Sequence, residues 1–485
     1  MRFSVRLAAL AGALVLVPAS AAAAGPQIAT DLYANTTSQH ATIVEPDSFS
    51  NGSTIMFAAQ AGRFNDGGSS GIAWSTVDAG GVTSGTLPGL TTNDNHPGPY
   101  DRATDPSVAF DARDQVWLVS TLGLVNTSGA PTGRAVLTSR STDATGSVWS
   151  NPVVTATASR RQDFDKNWIV CDNTSTSPHY GSCYTQFDDY GSSNALKMYY
   201  SRDGGKTWTA SRVPRASIIG GQPLVLSNGN VVVPLDNASE TAVGYTISTN
   251  GGVKFGSALT ITSVTATADP GQIRSGPLPT AEIAGDDTIY LAWEDCRFRT
   301  NCATNDIVYV TSNNGTTWTA PKRVPISEGT SVDYFLPGIA VDRSSSGSGT
   351  RIGLVYYYET SGCAFSLCQL NVGYVSSADG GAHWSDTSTH LASGMSMSSL
   401  PNTTQGRMVG DYMSASFDAS GNAHPAYVVA SAPTGGSDCS VSGATCAQSL
   451  YSDALGALGG STPPGTAVLF NGTVSQGASA FKRSQ

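Results

Sequence analysis

An eight-residue phrase recurs along the chain and restricts what it can fold into, being clearest as Ser201-Arg202-Asp203-Gly204-Gly205-Lys206-Thr207-Trp208. It returns as Ser377-Ala378-Asp379-Gly380-Gly381-Ala382-His383-Trp384. Thr311 to Trp318 keeps the frame with Asn for Asp, and Ser248 to Phe255 keeps it with Phe for Trp. Looser copies stand at Ser141 to Trp149 and at Ser75 to Gly81. The chemistry is that of a tight turn. An Asp or Asn oxygen accepts from backbone N–H groups two residues on, Ser or Thr does so more weakly, and a Gly pair supplies positive φ. The closing aromatic then packs on a neighbouring sheet. Alternating stretches such as Leu196-Lys197-Met198-Tyr199-Tyr200 lead into the phrase, as a strand entering a hairpin should. Most copies are about 60 residues apart, the scale of one four-stranded propeller blade.

Strand pairs expected before each phrase fall at 41–60, 107–121, 167–187, 223–235, 280–293, 337–358 and 412–429. The predicted fold is therefore all-β, a single β-propeller of four-stranded blades over residues 25–455. Seven blades are favoured and six stay open, because the N-terminal segment could be an accessory strand pair. Residues 456–485, rich in Gly, Ser and Ala, are expected to give a closing strand at Thr466 to Phe470 and then a loose tail. Composition agrees. Charged residues make up 13% of the chain, about half the usual share of roughly 25%, which excludes a coiled coil or long helical bundle. With 40% hydrophobic residues a large core is affordable, and a net charge of −10 argues against nucleic acid or anionic membrane as partner.

Arg2 and Arg6 precede an apolar run from Leu7 to Val17, and Ala22-Ala23-Ala24 supplies small residues for a peptidase. This reads as a secretory signal peptide over 1–24. A retained anchor is the rival reading, but the run is shorter than the roughly 20 residues a span needs. No later segment is long and apolar enough to cross a bilayer. The mature chain is expected to be extracellular, soluble and monomeric. Its eight cysteines form four local couples: Cys171 with Cys183, Cys296 with Cys302, Cys363 with Cys368, and Cys439 with Cys446. An even count in an exported chain favours disulfides between these neighbours. Zinc is the weaker reading, since no CxxC or HxxH occurs.

In a four-stranded meander, the connection between strands three and four shares a face with the turn between strands one and two. The repeated phrases occupy the former, and turns such as Ser227-Asn228-Gly229-Asn230 the latter. The ligand pocket is thus expected on the opposite face. Segments leading there into the innermost strands carry His96, Tyr100, Asp101, Arg102 and Asp105; Asp163, Asp165 and Lys166; Arg274; Asp333 and Tyr334; Arg407, Asp411 and Tyr412. Connections between strands two and three carry Arg63 with Asp66, Asp188 with Asp189, and Glu294, Asp295, Arg297 and Arg299. In so lightly charged a sequence this concentration is the strongest functional signal. The bland reading is that these charges pair with one another along the channel.

The repeated phrase resembles the Asp-box, or BNR repeat, of the sialidase superfamily, a set of secreted β-propellers. Cleavage of a glycoside needs an acid and a nucleophile or base on either side of the bond. By resemblance Asp66, in Gly62-Arg63-Phe64-Asn65-Asp66, takes the place of the acid. Tyr412 takes that of the nucleophile, with Glu282 or Glu294 to activate it. Arg63, Asp101, Arg102, Asp165, Arg274, Asp333, Arg407 and Asp411 form the expected substrate-binding set, the Arg forks matching a carboxylate. One departure is plain: where the family carries Phe-Arg-Ile-Pro, the first inner strand reads His40-Ala41-Thr42-Ile43-Val44-Glu45-Pro46. The expectation is a secreted, exo-acting sialidase-like glycosidase acting on an extracellular glycan. A non-catalytic propeller that binds glycan or protein is the alternative. No cofactor is called for, and no metal-binding residue is assigned. Asn93-Asp94-Asn95 and Asp188-Asp189 offer oxygens to a structural calcium, with ordinary turn chemistry as the stronger reading.

Overall fold

A computed structural model describes residues 22–23, 25–35, 37–127 and 129–465. Most of the expected signal peptide and the expected closing strand at Thr466 to Phe470 lie outside the described residues. Among those described, the regular structure is antiparallel β, with helix limited to four short 3-10 turns. No helix among them is long and apolar enough to cross a membrane.

Each expected hairpin is present. Gln39–Asn51 pairs with Thr54–Arg63, Arg102–Asp111 with Val116–Thr127, and Phe164–Cys171 with Cys183–Asp189. Leu224–Val225 pairs with Val231–Asn237, and Thr280–Ile283 with Ile289–Asp295. Val332–Val341 pairs with Ile352–Thr360, and Ser414–Phe417 with Asn422–Thr434. A third and a fourth strand extend each of these seven modules outward. In the seventh the fourth strand is the N-terminal Gln27–Ala29, laid beside Thr445–Tyr451. The first two modules share one eight-stranded sheet through the pair Ser69 and Ala103.

Side chains on the innermost strands stitch neighbouring modules together. Asp47 accepts from the Val108 N–H at 2.7 Å, Ser107 from Ile169 at 3.2 Å, Gln222 from Ala281 at 2.7 Å, and Thr280 from Ile339 at 3.4 Å. Ser414 accepts from the Ser48 N–H at 3.2 Å, which joins the seventh module to the first. The core lies between successive sheets. Met56, Trp74, Phe110 and Trp117 fill the first interface, and Tyr309, Tyr356 and Trp384 pack between the fifth and sixth modules.

The repeated phrase forms the turn its residues dictate. Ser201 Oγ accepts from the Gly205 N–H at 3.0 Å, and Asp203 Oδ1 accepts from Lys206 and Thr207 at 3.1 and 2.9 Å. Ser377 with Asp379, and Ser248 with Asn250, repeat both bonds. All four cysteine couples are joined as expected: Cys171–Cys183, Cys296–Cys302, Cys363–Cys368 and Cys439–Cys446. The last three clip the connection between strands two and three in consecutive modules, on the expected ligand face. Residues 456–465 precede the expected closing strand. They run back along sheet edges, where Thr462 bridges Trp384 and Gly465 bridges Arg323. Very short outer strands such as Lys322–Arg323 leave edge backbone groups unpaired, and this segment satisfies some of them.

Candidate active site

The innermost strands do not reach the ligand face in regular register. In four of them the ladder slips where one non-glycine residue turns left-handed: Glu45 at φ 53°, Asp105 at 51°, Lys166 at 52° and Leu336 at 47°. That conformation costs a side-chain-bearing residue about 1–2 kcal/mol, so the surrounding packing must impose it. A bulge re-aims its side chain. Glu45, Asp105 and Lys166 accordingly line one cavity of about 240 Å³, with Arg63, Asp66, Thr104, Asp165, Arg274 and Gln405 around them.

Two networks organise the cavity wall. In the first, the fully buried Gln60 is the hub. Its Nε2 donates to Glu45 Oε2 and, at 2.7 Å, to Thr104 Oγ1, while its Oε1 accepts from Arg63 Nη1 at 2.9 Å. Thr104 in turn donates to Asp105 Oδ1 at 2.6 Å. Burial, reinforced by the negative charges of Asp105 and Asp411, pushes the Glu45 carboxyl well above the usual carboxylate range. Burial raises Asp105 as well, although Lys166 and the Thr104 hydroxyl pull it back toward the anion. Burial and the like charge of Arg274 lower the Arg63 guanidinium to about 10.

The second network centres on Asp411. Arg274 Nε donates to its Oδ1 at 2.6 Å, and both Arg274 Nη2 and Lys166 Nζ donate to Oδ2. Burial would raise this carboxyl, but the two cations hold it well below the usual range. Asp411 is thus a fixed anion that aims Arg274 and Lys166 at the cavity.

The expected site residues separate into distinct places. Arg63, Asp66, Asp165 and Arg274 line the cavity. Asp66 stands at its rim, clamped by Arg102 through bonds of 2.6 and 3.3 Å. Asp101 braces a loop by accepting from the Asn126 N–H at 2.7 Å. Arg407 turns away to Asp438, with its guanidinium 5.1 Å from the Phe365 ring centre. Tyr412 does not line the cavity. Its hydroxyl donates to the Pro106 carbonyl at 2.9 Å, its ring meets Trp168 edge-on, and burial pushes the phenol well above its ordinary value. Glu294 and Asp333 belong to a separate buried acidic group with Asp269 and Glu359. There burial, helped by mutual repulsion, raises Asp269 to about 7, Glu359 to about 8 and Asp333 to about 9, and lifts Glu294 too. Glu282 pairs with Arg343 at 3.4 Å and lines a second cavity with Phe49 and Asp418, on the face of the repeated turns. Asp94 spends its oxygens on the Leu90 and Thr91 N–H groups and the Tyr33 hydroxyl, as turn chemistry expects.

Sequence reasoning left out Glu45 and Gln60 from the site. The signal was present as an acid before proline, Glu45-Pro46 and Asp105-Pro106, at matching places in successive modules.

No protein-family model matches the chain, and no curated protein matches it. Among solved structures, a protein of unknown function from Dyadobacter fermentans is 15% identical, with 73% of this chain and 98% of that chain covered at a TM-score of 0.47. A Hadza microbial sialidase is 16% identical, with 65% of this chain and 63% of that one covered at a TM-score of 0.45, so this chain spans less than two thirds of it. An ulvan lyase, a polysaccharide lyase bound to a glycan of GlcA and Rha3S, is 11% identical, with 89% and 96% covered at a TM-score of 0.48.

Proposed function

We propose that this protein hydrolyses glycosidic bonds in an anionic extracellular glycan, at the cavity around Arg63. The observation that carries this reading is the state of that guanidinium. Arg63 is only 4% exposed, its Nε has no hydrogen-bond partner, and its partner is the neutral Gln60 amide rather than a carboxylate among the described residues. A buried guanidinium with so few hydrogen-bond acceptors is costly, and an anionic ligand with a planar or trigonal group offsets that cost. A sugar carboxylate or sulfate has the right shape and charge. Arg274 and Lys166 stand beside it as further cations, and carboxyls of different proton affinity share the same wall, as cleavage of a glycoside requires.

The wider reading follows. The seven modules are blades of one ring, supported by the bond between Ser48 and Ser414 and by the N-terminal strand in the seventh module. Secretion is supported by the four disulfides together with the N-terminal pattern. A second reading, a propeller that binds an anionic glycan without cleaving it, is favoured by one observation: Tyr412 and Asp66 are both engaged, by Pro106 and Arg102.

The test is incubation with sialosides, uronic-acid glycans, sulfated glycans and neutral arabinans, with products read by mass spectrometry. Release of shortened acidic sugars supports hydrolysis. Retention on a glycan array with no product from any of them supports the binding reading instead.

A further inference from the structure

We infer that Glu45 is the proton donor of this cavity and that Gln60 is its positioning residue, tying it to Arg63 on one side and through Thr104 to Asp105 on the other. The inference rests on the hydrolytic reading above. Glu45 is held in a strained left-handed conformation at a bulge, lines the cavity, and is 1% exposed. Strain of this kind persists where the structure over-determines a position, and such positions collect at sites of chemistry. Gln60 fixes the carboxyl from behind through Nε2 and reports the other way through Oε1 to Arg63, 2.9 Å away. The group that would bind the anion and the group that would give the proton are therefore set by one amide.

The charges facing Glu45 come from several modules. Asp105 and Asp411 favour the protonated form, while Lys166, Arg63 and Arg274 oppose it. Burial is the largest of these influences and sets Glu45 well above the usual carboxylate range, the direction a proton donor needs. In the step itself, the glycosidic C–O bond breaks with its electron pair left on the departing oxygen. The Glu45 proton moves to that oxygen, leaving a carboxylate. Water bonds to the sugar carbon and loses a proton to the Asp105 carboxylate, and exchange with solvent returns the proton to Glu45.

The experiment uses the full-length secreted protein and two glycosides of whichever acidic sugar it releases. One carries an alkyl leaving group that needs protonation, and the other a dinitrophenyl group that does not. Glu45→Gln should lower kcat on the alkyl glycoside by about 100-fold or more and on the dinitrophenyl glycoside by less than about tenfold. Glu45→Asp, which keeps the carboxyl but shortens the arm, should show the same split. Gln60→Met should move the alkaline limb of the kcat profile by about one pH unit, and Gln60→Glu should restore neither position nor profile. Equal losses on both glycosides, or an unmoved alkaline limb in Gln60→Met, would overturn the assignment while leaving the hydrolytic reading intact. A wild-type protein that cleaves no glycan removes that reading and this one with it.

Discussion

Asp411 receives the Arg274 guanidinium edge-on, Nε on Oδ1 at 2.6 Å and Nη2 on Oδ2, and its second oxygen also takes the Lys166 ammonium. One buried carboxylate is therefore shared by two buried cations, Lys166 on the strand Phe164–Cys171 and Arg274 on a loop. Asp411→Asn removes the carboxylate that both cations share and is expected to cost about 3–5 kcal/mol in urea unfolding at pH 7. The pH dependence has a definite sign. Because the folded carboxyl is held below its unfolded value near pH ~4, its contribution is present above that pH and is lost as pH falls toward the folded value. The gap between wild type and variant should shrink in acid.

The acidic group of Asp269, Glu294, Asp333 and Glu359 has the opposite sign. Asp333 and Glu359 are raised to about 9 and about 8, so the folded state holds protons that the unfolded chain has already released. Their stabilising contribution is full below the unfolded values near ~4 and is lost as pH rises through the folded ones. Tm should fall between pH 6 and pH 9. Asp333→Asn and Glu359→Gln, neutral at every pH, should flatten that fall in calorimetry.

Gly252 takes φ 79° in a repeated turn, and a Cβ there would stand 2.5 Å from Tyr184 Cε1. Gly252→Ala meets both a left-handed backbone and a fully buried ring. A loss of about 2 kcal/mol or more is expected in denaturant unfolding. Gly52, at φ 62° with open space around it, should lose only the backbone part when changed to Ala.

The repeated turns were legible because their hydrogen bonds are local: Asp203 accepts from Ser201, Lys206 and Thr207. All seven hairpins followed from that frame, and so did the placing of Arg63, Asp66, Asp165 and Arg274 at one cavity. What the sequence concealed depends on contacts between distant segments. The acid before proline at Glu45 is a faint local sign, and the bonds that hold Glu45 at the bulge, from Gln60 and to Val409, come from elsewhere in the chain. Arg407 and Asp333 lie on the expected face, yet Arg407 is turned aside by Asp438 and Asp333 is gathered into another acidic group. A charge on the right face is thus a weaker predictor than a charge whose partners can be counted.

Arg63 is the point on which the functional account stands, and the most direct test compares an anionic glycoside with the same sugar reduced to a neutral alcohol. Wild type should prefer the anionic form by roughly 10- to 100-fold in kcat/KM, the worth of charge-assisted hydrogen bonds of about 1.5–3 kcal/mol. Arg63→Ala should erase that preference with an unchanged or raised Tm, because the variant no longer buries a guanidinium whose Nε has no hydrogen-bond partner. A preference that survives Arg63→Ala, or a wild type indifferent to the anionic group, would contradict it.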